Sequence, residues 1–150
     1  MPATVTTESP LTADARALIE GSQEFLLQIY PPEQIFSFSP QELATPDVAF
    51  FVAREAGCAL GCVALVDCGD YAEVKRLFVT HEGRGKGLAR AMMDRVETHA
   101  RAGGKAAIRL ETGKALVRAV GLYEALGFRR CGRFGDFPDH PASLFMEKIL

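Results

Sequence analysis

A glycine-rich turn between a predicted strand and a predicted helix is the feature of this 150-residue chain that most restricts its fold. Three glycines stand at alternate positions within residues 80–89, and no Ser, Thr, Asp or Asn lies between the first of them and the end of the segment. The start of a helix leaves about four backbone N–H groups without partners, and such residues usually satisfy some of them. Arg84 and Lys86 add positive charge where the helix dipole is already positive. The turn therefore predicts an anion site built from backbone N–H groups.

Two common phosphate-binding motifs do not describe this turn. A Walker loop needs Gly-Lys-Ser or Gly-Lys-Thr, which the chain lacks. The dinucleotide pattern Gly-x-Gly-x-x-Gly fails from Gly83, where Leu88 takes the last place, and from Gly85, where Arg90 does. A basic, flexible turn without a ligand is the alternative at this point.

Apolar periodicity and turn residues predict a single α+β domain over residues 1–150. The order of elements favours a mixed, mostly antiparallel central sheet of about six to seven strands with helices on both faces. Strands are predicted at 3–7, 47–54, 58–67, 71–80, 106–112, 128–131 and 143–149. Helices are predicted from Ser9-Pro10 or Thr12 to the proline pair at 31–32, briefly within 36–43, at 87–102 and at 115–126.

Composition and charge argue against binding to nucleic acid or membranes. Apolar residues make up 48% of the chain and charged residues 24%, and the formal net charge is −2 without a basic run. No apolar stretch reaches transmembrane length, and the N-terminus lacks the pattern of a signal peptide. The four cysteines have no zinc or redox spacing, so we expect free thiols in a reducing cytoplasm and no metal site.

Residues 84–89 resemble the pyrophosphate signature of the GNAT acetyltransferase superfamily, which reads Arg/Gln-x-x-Gly-x-Gly/Ala. The preceding segment 73–79 and the later segment 121–128 are similar to two further motifs of that family, in the same order. The resemblance covers nearly the whole chain. It implies the GNAT fold and an enzyme that moves an acetyl group from acetyl-CoA to a primary amine of a small molecule or peptide, by direct attack in a ternary complex.

The resemblance also implies where acetyl-CoA binds. Its pantetheine arm would pair with a strand, and the N–H of Val79 would polarise the acyl carbonyl. Relatives often carry Asn seven residues before the tyrosine of the last motif; Leu116 stands there in this chain, so that contact is lost or made by backbone. The implied coenzyme contacts are Leu77, Phe78, Val79, Arg84, Gly85, Lys86, Gly87, Leu88, Ala89 and Tyr123.

Two residues are implied to act in catalysis. Tyr123 would protonate the departing sulfur, since a phenol holds its proton at neutral pH; the alternative is a core aromatic with a satisfied hydroxyl. Glu73 would remove a proton from the amine, directly or through water. It shares strand parity with Leu77 and Val79. Lys75 lies on the same face, so a salt bridge is an equal alternative.

The acceptor pocket is the least constrained part of the chain. Phe36 could form one wall, or pack in the core. Asp136 and His140 lie in a loop that borders the acceptor in relatives, where they could receive a cationic amine or simply form a solvated turn. Two other functions stay open: a non-catalytic acyl-CoA sensor, and an acetylase of protein N-termini or lysines. Relatives also suggest a possible homodimer.

Overall fold

The computed structural model describes residues 3–150, and the predicted elements are present in the predicted order. Thr12 caps the first helix, because its side chain accepts a hydrogen bond from the Ala15 N–H. The strands are β1 (Thr4–Thr7), β2 (Val48–Glu55), β3 (Cys58–Asp67), β4 (Tyr71–Val79), β5 (Ala107–Gly113), β6 (Arg129–Arg130) and β7 (Ser143–Ile149). The α-helices are α1 (Ala13–Leu27), α2 (Pro40–Leu43), α3 (Leu88–Ala102) and α4 (Val117–Ala125), with a 3-10 turn at Pro32–Gln34.

The strands form one seven-stranded sheet in the order β1-β2-β3-β4-β5-β7-β6. Every neighbouring pair is antiparallel except β4 and β5, which are parallel and joined through α3. The predicted α+β class and the mixed, mostly antiparallel sheet are therefore confirmed. No helix in the described range 3–150 is long and apolar enough to span a membrane.

Helices cover both faces of the sheet, as predicted. Along β2, Phe50 and Val52 point to one face while Phe51 and Ala53 point to the other, and all four are buried. The face under α1 and α2 is packed by Ala15, Leu18, Ile19, Leu43, Phe50, Val52, Cys62 and Ala64. The opposite face is packed by a larger cluster that includes Leu88, Met92, Met93 and Val96 of α3 and Val120 and Tyr123 of α4.

A cleft opens between the two parallel strands. Their pairing ends at Val74 opposite Leu110. Beyond that point β4 stays paired with β3 as far as Val79, while β5 stays paired with β7 as far as Gly113. The facing edges of β4 and β5 are thus left without a strand between them, and this gap forms the centre of the candidate site.

A β-bulge in β4 sets which side chains face the cleft. Phe78 lies opposite Cys62 and Lys75 opposite Ala64, so two residues of β4 oppose one of β3. Arg76 is at the extra position of the bulge, and its φ of 57° lies in the left-handed region that residues other than glycine seldom adopt. Lys75 and Arg76 consequently point to the same face of the sheet.

The bulge makes one sequence expectation wrong. Glu73 was expected to share a face with Leu77 and Val79 by strand alternation. In the structure Leu77 and Val79 pack against the cluster under α3, whereas Glu73 pairs with Lys75 on the α1 face. The inserted residue shifts the period of two by one position, so every side chain after it lies on the opposite face from that expected.

Arg76 ties the bulge to the elements above it. Its guanidinium donates to the Phe38 carbonyl at 3.0 Å, to Ser22 Oγ at 3.3 Å and to Gln23 Oε1 at 2.8 Å. Burial lowers the pKa of Arg76, because the charged form loses hydration. This cation therefore holds α1 and the segment before α2 against β4.

Replacing Arg76 by Met should destabilise the fold by about 2–3 kcal/mol, since three acceptors lose their buried donor. The free energy of unfolding in urea measures this loss. Arg129→Met is the control, because Arg129 is exposed on β6 and makes no side-chain hydrogen bond among residues 3–150. Equal stability of the two variants would contradict the assigned role of Arg76.

Candidate active site

One large cavity, of about 880 Å³, occupies the cleft between β4 and β5 and opens on both faces of the sheet. On the α3 side it reaches the glycine-rich turn and the first turn of α4. On the α1 side it reaches the end of α1 and the segment 34–37. A single cavity thus connects the predicted phosphate site with the predicted acceptor side.

The glycine-rich turn leaves its amides free. Gly85 and Gly87 adopt φ values of 75° and 74°, and Gly87 precedes α3 without any side-chain cap. The first helical hydrogen bond is donated by Ala91 to the Gly87 carbonyl. Within the part of the chain that the structure describes, no hydrogen bond is donated by the backbone N–H groups of residues 85–90. The geometry is that of an anion site formed by backbone amides.

The two basic side chains of the turn are placed differently. Arg84 is exposed and lines the cavity. Lys86 points away from it and pairs with Glu55 Oε1 at 2.9 Å. Of the predicted coenzyme contacts, Lys86 is the one whose side chain is directed elsewhere, although its amide belongs to the turn.

The edge of β4 presents a backbone donor to the cleft. The Thr80 N–H donates to the Leu60 carbonyl at 2.9 Å, so that residue faces β3. Because successive residues of a strand direct their N–H groups to opposite sides, the N–H of Val79 and that of Leu77 face the cleft, whereas Phe78 faces β3. The Val79 amide is therefore one of the backbone donors directed into the cleft.

Tyr123 lies at the inner wall of the cavity, with 6% of its surface exposed, so the predicted inward orientation is confirmed. Its ring packs against that of Phe128, with centroids 5.7 Å apart. Burial raises the pKa of Tyr123, and the neighbouring Glu111 carboxylate raises it further. The phenol therefore keeps its proton at neutral pH.

Glu73 and Lys75 form a buried ion pair at the cavity, with Lys75 Nζ 3.0 Å from Glu73 Oε2. The two groups are not aligned for a hydrogen bond, and Glu73 Oε2 has no hydrogen-bond donor among the described residues. Burial raises the pKa of Glu73, while Lys75 acts in the opposite direction. The salt bridge foreseen as an alternative is present, and one carboxylate oxygen still lacks an aligned donor.

Lys75 is fully engaged by its neighbours. Besides Glu73, its ammonium donates to the Phe36 carbonyl at 3.2 Å. It also lies 4.4 Å from the ring centroid of Phe38 and 4.8 Å from that of Phe137. Such contacts stabilise a cation away from water. Lys75 is therefore a fixed part of the wall.

Glu111, on β5, is a site residue that the sequence reasoning missed. Its Oε2 accepts a hydrogen bond from Ser143 Oγ at 2.8 Å, and the side chain lines the cavity. Burial raises the pKa of Glu111 to about 7, against the lowering effects of Ser143 and Lys75. The strand itself gives little signal, because its sequence Ala-Ile-Arg-Leu-Glu-Thr-Gly also carries Arg109 two residues before Glu111, where an ordinary ion pair is expected.

The predicted acceptor residues are only partly brought together. Phe36 lines the cavity on the α1 side. Asp136 is exposed, and His140 Nδ1 accepts from the Ala142 N–H at 3.0 Å, and neither residue reaches the cavity. Their loop contributes Phe137 instead. Among residues 3–150, no three His, Cys, Asp or Glu side chains are grouped so that they could hold a metal ion.

Comparison with known proteins gives consistent matches. The family model described as acetyltransferase (GNAT) family matches residues 15–128. An IAA acetyltransferase of Azospirillum brasilense is 42% identical over 149 residues, which cover 98% of this chain and 97% of that protein.

Solved structures share the whole fold. A Klebsiella pneumoniae protein, provisionally assigned as an acyl-CoA N-acyltransferase, superposes with a TM-score of 0.83 at 29% identity, covering 99% of this chain and 97% of its own. The PaiA N-acetyltransferase of Thermoplasma acidophilum, crystallised with coenzyme A, superposes with a TM-score of 0.81 over 100% of both chains. At 20% identity this second likeness shows the fold alone.

Changing Gly87 to Ala should weaken acetyl-CoA binding by about tenfold, a loss of about 1.4 kcal/mol, because a Cβ disturbs the backbone approach to the anion. Isothermal titration calorimetry measures the affinity. Gly69→Ala is the matched control: Gly69 has a φ of 90° and open space around it, like Gly87, but lies outside the cavity. Equal effects of both substitutions would show that backbone strain alone is responsible.

Proposed function

The chain belongs to the acetyltransferase (GNAT) family, as its sequence motifs indicated, and we propose that it acetylates the primary amine of a small molecule or peptide by direct attack in a ternary complex. Acetyl-CoA is the acetyl donor in this family. The observation that carries the proposal is the single cavity that joins free amides of the glycine-rich turn to the buried phenol of Tyr123 and to the carboxylates of Glu73 and Glu111. A ternary complex needs this connection, because both substrates must be present at once.

The coenzyme's diphosphate would be held by the turn. Amides from Gly85 to Ala89 supply the donors, and Arg84 adds positive charge at the cavity wall. The pantetheine arm would pair with the free edge of β4 at Leu77 and Val79, in the manner of an added strand. The residues present fit such a ligand, since the donors would otherwise be without partners.

The acetyl carbonyl would lie at the Val79 amide. When the amine nitrogen attacks the carbonyl carbon, negative charge develops on the oxygen, and a donor already in place stabilises it. The carbon–sulfur bond then breaks, and the electron pair leaves with the sulfur. Tyr123 donates its phenolic proton to that sulfur, and the phenolate then takes a proton back from water; the raised pKa keeps the phenol protonated until the sulfur departs.

Two carboxylates compete for the role of base. Glu111, with a pKa of about 7, can take a proton near neutral pH and release it to solvent afterwards. Glu73, the base expected from the family, is committed to Lys75 but keeps one oxygen without an aligned donor. We propose that Glu111 accepts the amine's proton, directly or through water, and that Glu73 orients the amine.

The acceptor side favours catalysis over passive binding. A sensor for acyl-CoA needs the phosphate turn, but has no use for a half-buried carboxylate with a pKa near neutrality beside a protonated phenol. The four cysteines are free thiols, which supports our proposal of a reducing, cytoplasmic location.

Replacing Tyr123 by Phe should lower kcat by about 10²- to 10⁴-fold, the usual contribution of a general acid, with little change in acetyl-CoA affinity. Thiol release from acetyl-CoA in the presence of an amine panel gives the rate, and calorimetry gives the affinity. Undiminished turnover by the variant would remove Tyr123 from the mechanism. Tight coenzyme binding by the wild type without turnover of any amine would instead favour a sensor.

Replacing Glu111 by Gln should abolish the rise of kcat/KM with pH that is centred near 7, because only the ionised carboxylate can accept a proton. Glu73→Gln should keep that rise at reduced activity. The pH profile of each variant with one acceptor is the measurement. If the rise disappears in Glu73→Gln and persists in Glu111→Gln, the two roles are reversed.

The pH dependence of the free energy of unfolding gives an independent test of the raised pKa of Glu111. The raised pKa of Glu111 means that its carboxyl is more easily ionised in the unfolded chain. Its contribution to stability is therefore present below the unfolded pKa of about 4.3 and is lost as pH rises through about 7. The free energy of unfolding of Glu111→Gln should therefore depend less on pH, between pH 4 and 8, than that of the wild type.

A further inference from the structure

The lining of the cavity indicates the chemical class of the acceptor. We propose that the acceptor is a primary amine with an uncharged, apolar body, namely an arylalkyl or alkyl amine, and that this body lies along the C-terminal half of α1. This inference rests on the proposed acetyl transfer. It names the substrate class of the same site.

The first observation is the distribution of exposed large apolar side chains. Among residues 3–150 they are Leu11, Phe25, Leu27, Ile29, Val117 and Ile149. Two of the six, Phe25 and Ile29, line this cavity on the α1 side, and Val117 lines it at the start of α4. Exposed apolar side chains scattered singly need no explanation, but their concentration at the mouth of a functional cavity indicates an apolar ligand.

The second observation is an aromatic wall deeper inside, on the α1 side. The rings of Phe36 and Phe137 meet edge to face, with centroids 6.1 Å apart and an angle of 82° between planes. Phe137 is held in turn by Phe134 and Phe145, at 5.5 and 5.6 Å. A wall fixed in this way receives a flat or extended apolar group at low cost in conformational freedom.

The third observation concerns charge. On the α1 side, the cations that line the cavity are Lys75 and Arg76, and both are already engaged by protein acceptors and rings. The carboxylates of Glu73 and Glu111 also line the cavity, and only Glu73 of the two is paired with a cation. An amine fits these carboxylates, whereas an acceptor that also bears a carboxylate, such as an amino acid, would place a second anion beside them on the α1 side, away from the arginines at the glycine-rich turn and α4 that also line the cavity.

A longer acyl chain on the donor is the competing occupant of the same apolar lining. Both occupants would contact the end of α1, but they predict different dependences. An apolar acceptor makes the rate depend on the body of the amine at constant donor. An apolar acyl chain makes it depend on acyl length at constant amine.

The test compares three amines with acetyl-CoA as donor: phenethylamine, ethanolamine, which lacks the apolar body, and phenylalanine, which adds a carboxylate. We expect kcat/KM for phenethylamine to exceed that for each of the others by about 10- to 100-fold, as burial of a phenyl-sized group would give. Ile29→Ser should lower kcat/KM for phenethylamine about three- to tenfold and should affect ethanolamine less, so that the preference for phenethylamine decreases.

Leu27→Ser is the matched control. Leu27 is the last residue of α1, two positions before Ile29, and is 44% exposed, against 40% for Ile29, but it does not line the cavity. This variant should retain the wild-type preference.

The outcomes separate the inference from the proposed function. Acetylation of ethanolamine or phenylalanine as fast as phenethylamine overturns the inference and leaves amine acetylation standing. A response of Ile29→Ser to the length of the donor's acyl chain (acetyl against octanoyl), with no change in amine preference, overturns it in favour of the competing occupant. Failure to acetylate any amine, while acetyl-CoA still binds, overturns the inference and the proposed function together.

Discussion

The end of pairing between β4 and β5 is the constraint on which the rest of this structure depends. Two parallel strands that stay hydrogen-bonded along their length leave no room for a ligand, whereas these separate after Val74 and Leu110. Each strand keeps its outer partner, so the sheet holds together while one edge of β4 is free. The fold thereby tolerates unpaired backbone donors in its interior, a state that a bound strand-like ligand would relieve.

The bulge at Arg76 turns this opening into a site with two chemically different sides. It directs Lys75 and Arg76 to the α1 face, where they fix the carbonyls of Phe36 and Phe38. The apolar side chains of Leu77 and Val79 then face α3. The α3 side of the cavity is therefore dominated by backbone donors and the α1 side by carboxylates and aromatic rings, and Tyr123 lies at the inner wall.

The sequence predicted most of the fold because its signals are local. Glycines after the helices, the cap at Thr12 and the apolar runs of the central strands depend only on neighbouring residues, and they located the elements within a few positions. The uncapped turn also predicted the free amides. The bulge was out of reach, since one inserted residue is defined only by the register against β3, and Glu111 was missed because its partner Ser143 lies on another strand.

Amide hydrogen exchange at single residues, measured with and without acetyl-CoA, shows whether the coenzyme occupies this cleft. We expect saturating acetyl-CoA to slow exchange of the Val79 amide and of those in residues 85–90. We expect little change for the amide of Thr80, which already donates to β3. Binding of acetyl-CoA that leaves Val79 and the turn as exchangeable as before would contradict the placement of the coenzyme in this cleft.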